Sequence, residues 1–250
     1  AALIDPEIDA LRQQGLGVAL GILDCAFMTN GILDAPMGYV KLLVEKLHAA
    51  GGLFVADEVQ SGFGRMAPAY WGHQHHGVTP DFVTIGKPAG NGYPVGAIIT
   101  RAAILDKFVA ETGPFFSTFG GGNAACAAGI AMMDVIDHDG LVQRAAQVGQ
   151  KFRDQLRELM QRHEIIGDVR GVGLATGVEL VRDRTTLEPA AAETKQLLNL
   201  LRDQGVLIGS DGKFGNVLKL RPPLVFETEH IEIAVSAFDR ALNKLQRVAQ

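Results

Sequence analysis

Short apolar runs bounded by turn residues punctuate the first half of the chain. Residues 18–23, 53–56, 82–85 and 95–100 each read as a buried strand. Between the first two, Val40, Leu43, Val44 and Leu47 fall at helical spacing over 39–50, with Gly51 as the stop signal. Strand, helix and strand in that order predict a parallel sheet joined by crossover connections.

After Gly140 the pattern changes. Leu141, Ala145, Val148, Phe152, Leu156 and Leu159 form one stripe of a charged amphipathic helix over 141–163. Short strands are expected at 165–169, 174–180, 206–208 and 217–220, with helices at 190–204 and 229–245. The fold class that follows is α/β. A mostly parallel sheet belongs to a large domain, 1–139, and a small α+β domain occupies 140–250.

Composition narrows the possible partners. With 47% hydrophobic and 20% charged residues the chain is an ordinary folded globule, which excludes disorder. A net charge of -5 without a Lys/Arg run argues against nucleic acid and anionic membranes. No apolar run approaches the ~20 residues of a membrane span. The opening Ala1-Ala2-Leu3-Ile4-Asp5 has neither the basic nor the apolar part of a signal peptide and lacks an initiator Met, which suggests a trimmed chain. Cys25 and Cys126 alone make no disulfide framework, so a reducing, cytoplasmic compartment is expected. The 30 glycines cluster just after the apolar runs, at 51–52, 62–64, 86–96, 120–122 and 171–177. Gly-rich turns at strand ends are where open α/β sheets bind ligands.

Three of these turns carry candidate chemistry. Asp57 directly follows an apolar strand, where a carboxylate is costly unless a cation meets it; the alternative is a helix N-cap or a surface-turn Asp. Lys87 ends the next strand and enters a Gly/Pro-rich loop, a setting for a Schiff-base lysine, although most lysines are solvated surface charges. Ser117 and Thr118 precede three glycines and a helix expected over 124–136; their hydroxyls suit an anion, or simply an N-cap. All three can converge at the carboxyl edge of one sheet. A cofactor with an aldehyde, a phosphate and a pyridine nitrogen would use Lys87, Thr118 and Asp57 respectively.

The stretch from Asp57 through Glu58, Val59, Gln60, Ser61, Gly62 and Gly64 to Arg65 resembles the class III aminotransferases of pyridoxal-phosphate fold type I. So do Gly86-Lys87-Pro88 with Asn91 to Val95, and Ser117-Thr118-Phe119-Gly120-Gly121. Gly167 to Leu174 and Arg221-Pro222-Pro223-Leu224 extend the similarity. The resemblance implies pyridoxal 5'-phosphate as cofactor. Asp57 then pairs with the pyridine nitrogen, Gln60 approaches the ring hydroxyl and Lys87 carries the imine. Ser117 and Thr118 serve the phosphate, Thr118 reaching the cofactor of the other subunit in a homodimer. The tail from Ser210 to Pro223 is similar to the branch containing ethanolamine-phosphate phospho-lyases. The resemblance covers the C-terminal portion of such an enzyme. The family's N-terminal phosphate cup and ring-stacking aromatic are not found here, and 24–31 departs from its usual Glu-Pro and Gln-Gly.

The expected activity is therefore transamination of a small primary amine. Phosphate elimination from an amino-alcohol phosphate is the alternative, and a non-catalytic portion of an enzyme is the third reading. Arg221 could bind a substrate carboxylate or phosphate, or form a structural salt bridge. Arg170 leans to structure. His73, His75 and His76 lack partners at metal-ligand spacing and read as a polar surface helix end. Gly171 to Gly177 reads as a structural turn, and Cys126 as a packed residue of a small-residue helix.

Overall fold

The computed structural model describes residues 3–248; Ala1, Ala2, Ala249 and Gln250, at the outer ends of the two expected domains, lie outside the described residues. The chain forms two units. The first holds residues up to Cys25 together with Ala35–Phe63 and Ala69–Gly140. The second holds Ala26–Asp34, Gly64–Pro68 and everything from Leu141 onward.

In the first unit, helix α1 (Ile4–Gln13) precedes β1 (Leu20–Asp24), α2 (Tyr39–Ala49), β2 (Leu53–Asp57), the single turn α3 (Gly72–His75) and β3 (Phe82–Ile85). A 3-10 turn at Lys87–Gly90 leads to β4 (Ala97–Thr100), α4 (Ala102–Thr112) and α5 (Asn123–His138). The sheet order is β1-β2-β3-β4, with the first three strands parallel and β4 antiparallel to β3. The predicted strand–helix–strand unit is present, with α2 making the crossover. β4 reverses because its connection from β3 is short and contains no crossover helix, which a parallel return requires. α1 and α4 were not anticipated; α4 carries Ile104, Leu105, Phe108 and Val109 at helical spacing yet buries none of its residues. A buried carboxylate fastens this sheet together. Asp81, at the start of β3, accepts the Phe54 N–H at 2.8 Å, pairs with His48 of α2 at 2.9 Å and binds Arg101 beyond β4.

The second unit contains α6 (Leu141–Arg162), β5 (Ile166–Val172), β6 (Ala175–Asp183), β7 (Glu188–Pro189), α7 (Ala191–Arg202), β8 (Gly209–Asp211), β9 (Val217–Leu220) and α8 (Thr228–Val248). Its antiparallel sheet runs β5-β6-β9-β8, with β7 paired to β6. Phe152, Leu156 and Leu159 of α6, Leu197 and Leu201 of α7, and Ile231, Phe238 and Leu242 of α8 meet Ile166, Val178, Leu180 and Leu218 of the sheet in one core. The strand expected at 206–208 is displaced to Gly209–Asp211. Ser210 and Asp211 pair with β9, and Asp211 meets Lys219, so a polar strand forms where propensity favours the apolar residues before it. Gly171 to Gly177 is a structural turn: the hairpin between β5 and β6, with Val172 opposite Ala175. Arg170 is structural too. Its guanidinium donates to the Gly31 and Ile32 carbonyls and pairs with Asp168 and Glu179, tying the 26–34 stretch to β5.

Among the described residues, no helix is long and apolar enough to cross a membrane.

Candidate active site

Parallel pairing sets the carboxyl ends of β1, β2 and β3 level. Asp24 lies beside Asp57, and Asp57 beside Thr84. Asp57 is half-buried there. Its Oδ1 accepts the Val59 N–H at 3.1 Å and the Thr84 hydroxyl at 3.4 Å. One carboxylate oxygen thus closes an Asx turn.

The next residue turns inward. Glu58 is fully buried, and its N–H donates to Thr84 O, prolonging the β2–β3 pairing by one residue. Its carboxylate accepts four hydrogen bonds: Gly72 N–H and His73 N–H at 2.8 Å each, Ser61 Oγ–H at 2.6 Å and His73 Nδ1 at 2.8 Å. Burial alone would raise this carboxyl, but the bonds from His73, Ser61 and the two N–H groups outweigh it and leave it below its ordinary range. Ser61 Oγ also reaches the Asp57 carbonyl at 3.1 Å. Gly72 permits this close approach, since a Cβ there would lie 2.6 Å from Ser61 Cβ and 2.8 Å from Cys25 Cβ. The turn carrying Asp57 and Gln60 is therefore nailed to the start of α3.

This corrects the histidine expectation. His73 is mostly buried against Glu58, and His76 Nε2 contacts the Cys25 carbonyl at 2.8 Å, so two of the three histidines are internal hydrogen-bonding groups. Cys25 is buried, and burial followed by the nearby Glu58, Asp24 and Asp57 carboxylates pushes its thiol well up. Cys126, expected to be packed, is exposed on α5.

Lys87 is exposed and opens the 3-10 turn after β3, with φ of 38°. A side chain in that left-handed region costs on the order of 1–2 kcal/mol, so the surrounding loop must hold it there. Ala89 N–H to Gly86 O, Asn91 N–H to Pro88 O and Tyr93 N–H to Gly90 O make that loop a chain of successive turns. Asp57 and Lys87 thus leave the same edge of the sheet on adjacent strands. Ser117 and Thr118 are exposed in the loop before α5. Ser117 Oγ accepts the Gly120 N–H at 2.9 Å, and Gly122 occupies the N-cap without a side-chain bond, so neither hydroxyl caps the helix.

Arg221 belongs to the second unit. It is exposed and lines a cavity of about 480 Å³ with Phe152, Lys219, Phe226, His230 and Phe238. The half-buried Arg65 donates from Nη1 to the Leu174 and Pro222 carbonyls at 3.1 and 2.6 Å. Burial, and then the charge of Arg221, lower its guanidinium to about 10. In the sequence Glu58, Ser61 and Arg65 stand only as parts of the motif and His73 only as a surface residue, none with a role of its own. Only the juxtaposition of Glu58 with Asp57 at a strand end hinted at a buried charge needing partners.

Comparison with known proteins adds a family. The profile described as "Aminotransferase class-III" matches residues 17–242. The chain is 43% identical over 216 residues to "Alanine--glyoxylate aminotransferase 2 homolog 2, mitochondrial" of Arabidopsis thaliana, covering 86% of this chain and 45% of that protein. It is 42% identical over 243 residues to "Ethanolamine-phosphate phospho-lyase homolog 1" of Caenorhabditis elegans, covering 96% and 52%. A solved phospholyase from Arthrobacter in complex with phosphoethanolamine superposes with a TM-score of 0.94 at 42% identity, over 97% of this chain and 57% of that one. A Bacillus anthracis aminotransferase gives 0.88 at 32% identity, over 96% and 56%. The chain spans about half the length of the curated relatives it matches.

Proposed function

The chain belongs to the class III aminotransferase family, and we propose that it supplies the ring-pairing carboxylate and the reactive lysine of an enzyme using pyridoxal 5'-phosphate on a small primary amine. The observation carrying this reading is that Asp57 ends β2 and Lys87 opens the turn just beyond the carboxyl end of the adjacent parallel strand β3. Their donor set suits the cofactor: a carboxylate for a protonated ring nitrogen, a primary amine for an aldehyde carbon, hydroxyls for a phosphate. When bound, such a group offers a protonated pyridine that withdraws the electron pair left when a bond to the substrate Cα breaks. Asp57 holds the proton on the ring nitrogen, and Gln60 contacts the ring hydroxyl. The Lys87 amine moves a proton at the substrate Cα as general base and acid. Ser117 and Thr118 bind the phosphate, Thr118 from the other subunit of a homodimer. The neighbouring Phe116 and Phe119, 86% and 90% exposed, support assembly, since monomers seldom present such apolar clusters to water. Arg221 holds an anionic substrate group. Residues 1–139, apart from Ala26–Asp34 and Gly64–Pro68, contribute to the cofactor domain, and those two stretches join 140–250 in the small domain. From its two cysteines we read a reducing, cytoplasmic compartment.

Borohydride reduction of the cofactor-loaded protein, followed by peptide mapping, is expected to add the phosphopyridoxyl mass to Lys87. A label on any other lysine overturns the assignment. The similarity to the phospholyase solved with phosphoethanolamine favours a second reading, in which Lys87 takes the Cα proton and a β-phosphate leaves in place of amino transfer. Phosphate release from phosphoethanolamine without an amino acceptor supports that reading; strict dependence on a keto acid or aldehyde defeats it.

A further inference from the structure

Three separated segments of the second unit meet at Arg65. Its guanidinium donates to the carbonyls of Leu174, in the β5–β6 hairpin, and of Pro222, after β9. Its own carbonyl accepts the Leu174 N–H at 3.0 Å. The hairpin comes this close only because residue 173 is glycine: φ is +56°, and a Cβ would stand 2.4 Å from the Arg65 oxygen. Arg153 fixes the hairpin from the other side, donating to the Gly173 carbonyl at 2.5 Å. Arg65 therefore starts from a rigid base and grips the residue that follows Arg221.

That grip matters because of what Pro222 does to its predecessor. The proline ring locks its own φ near −65°, and its Cδ confines the preceding residue to extended backbone. With Pro222 and Pro223 in tandem, holding the Pro222 carbonyl sets the backbone from which the Arg221 side chain departs. Arg65 is also a second cation close to Arg221, and a cation pair with one half-buried member favours an anion beside it.

We propose that Arg65 is the positioning residue for Arg221, fixing its backbone through the Pro222 carbonyl and adding positive potential where an anionic substrate group binds. This rests on the reading of Arg221 as the contact for that group. A dianion interacts about twice as strongly with each cation as a monoanion does, so the effect is larger for a phosphate than for a carboxylate.

The test is calorimetric titration of the cofactor-loaded protein with 2-hydroxyethyl phosphate, which has no amine to react, and in parallel with acetate. Arg221→Gln is expected to weaken phosphate binding by more than tenfold. Arg65→Gln is expected to raise the Kd about tenfold for the phosphate and less for acetate, and Arg65→Lys to recover part of the loss by restoring the charge and one donor. A Kd for Arg65→Gln within twofold of the parent, beside a weakened Arg221→Gln, overturns the inference alone. An Arg65→Gln defect equal for both anions, with no recovery in Arg65→Lys, reduces Arg65 to scaffold and also overturns it. An unchanged Kd in Arg221→Gln removes the reading of Arg221, and the inference with it.

Discussion

The two units treat their apolar residues in opposite ways. In the second, three long helices close over one antiparallel sheet, and Leu156, Leu159, Leu180, Leu197, Leu201, Leu218 and Ile231 are fully buried in a single core. In the first, the sheet leaves outer-strand residues bare: Ile22 of β1 is 62% exposed and Ile98 of β4 is 69% exposed, and α4 buries nothing. Yet Asp57 and Lys87 sit in this less enclosed unit. Its candidate site is held by polar fastenings, Glu58 to α3 and Asp81 to α2 and Arg101, whereas the second unit adds its Arg65 and Arg170 fastenings to one close-packed hydrocarbon core. Hydrophobic burial is non-directional and stabilises a whole core, whereas a charge-assisted hydrogen bond fixes one atom.

Truncation should expose the contrast most strongly. Leu156→Ala in the second core should cost roughly 2–5 kcal/mol through lost transfer energy and a cavity, read as a shift in the urea midpoint. Met37→Ala, fully exposed in the first unit, should stay within about 0.5 kcal/mol. Equal effects would erase the distinction.

The polar fastenings should answer to acid. Glu58 and Asp81 of the first unit, and Asp239 of α8 in the second, which pairs with His163 at 2.7 Å, all bind protons more weakly folded than unfolded. For Asp239 the His163 bond leads, and for Glu58 and Asp81 the hydrogen bonds and charges outweigh burial. Their contribution is complete above the ordinary carboxyl values of 4.5 for Glu58 and 3.8 for the aspartates, and is lost as pH falls through the lower folded values. Melting temperature should therefore drop steeply below about pH 4. Glu58→Ala, which strands His73 and two N–H groups, should remove roughly 3–5 kcal/mol at neutral pH and flatten part of that acid slope. An unaltered slope in this variant would mean that Glu58 is not the fastening.

The mildest probe is covalent. A maleimide reagent under native conditions should modify exposed Cys126 on α5 and spare Cys25, whose thiol is buried and pushed up. Prompt modification of Cys25 would show that the Glu58–α3 cluster opens readily.

Much of the architecture was legible in the residues themselves. Period and punctuation marked α2, α6, β3 and β9 closely, because a one-sided stripe or a buried run leaves a direct trace. The Asp57 and Lys87 turns stood out because a charge ending an apolar strand is costly without a reason. The polar strand β8 left no such trace: its pairing with β9 is supplied by a distant segment.

Local pattern by itself determined which segments become helices or buried strands, and that a carboxylate and an amine lie at strand ends. Only the tertiary structure decided that β4 runs antiparallel, that Ala26–Asp34 and Gly64–Pro68 join the second unit, and that Glu58, His73 and Arg65 are hubs. The reason is physical. Amphipathic periodicity is written within a few residues, whereas the worth of a buried charge depends on partners brought by chain segments far away in sequence.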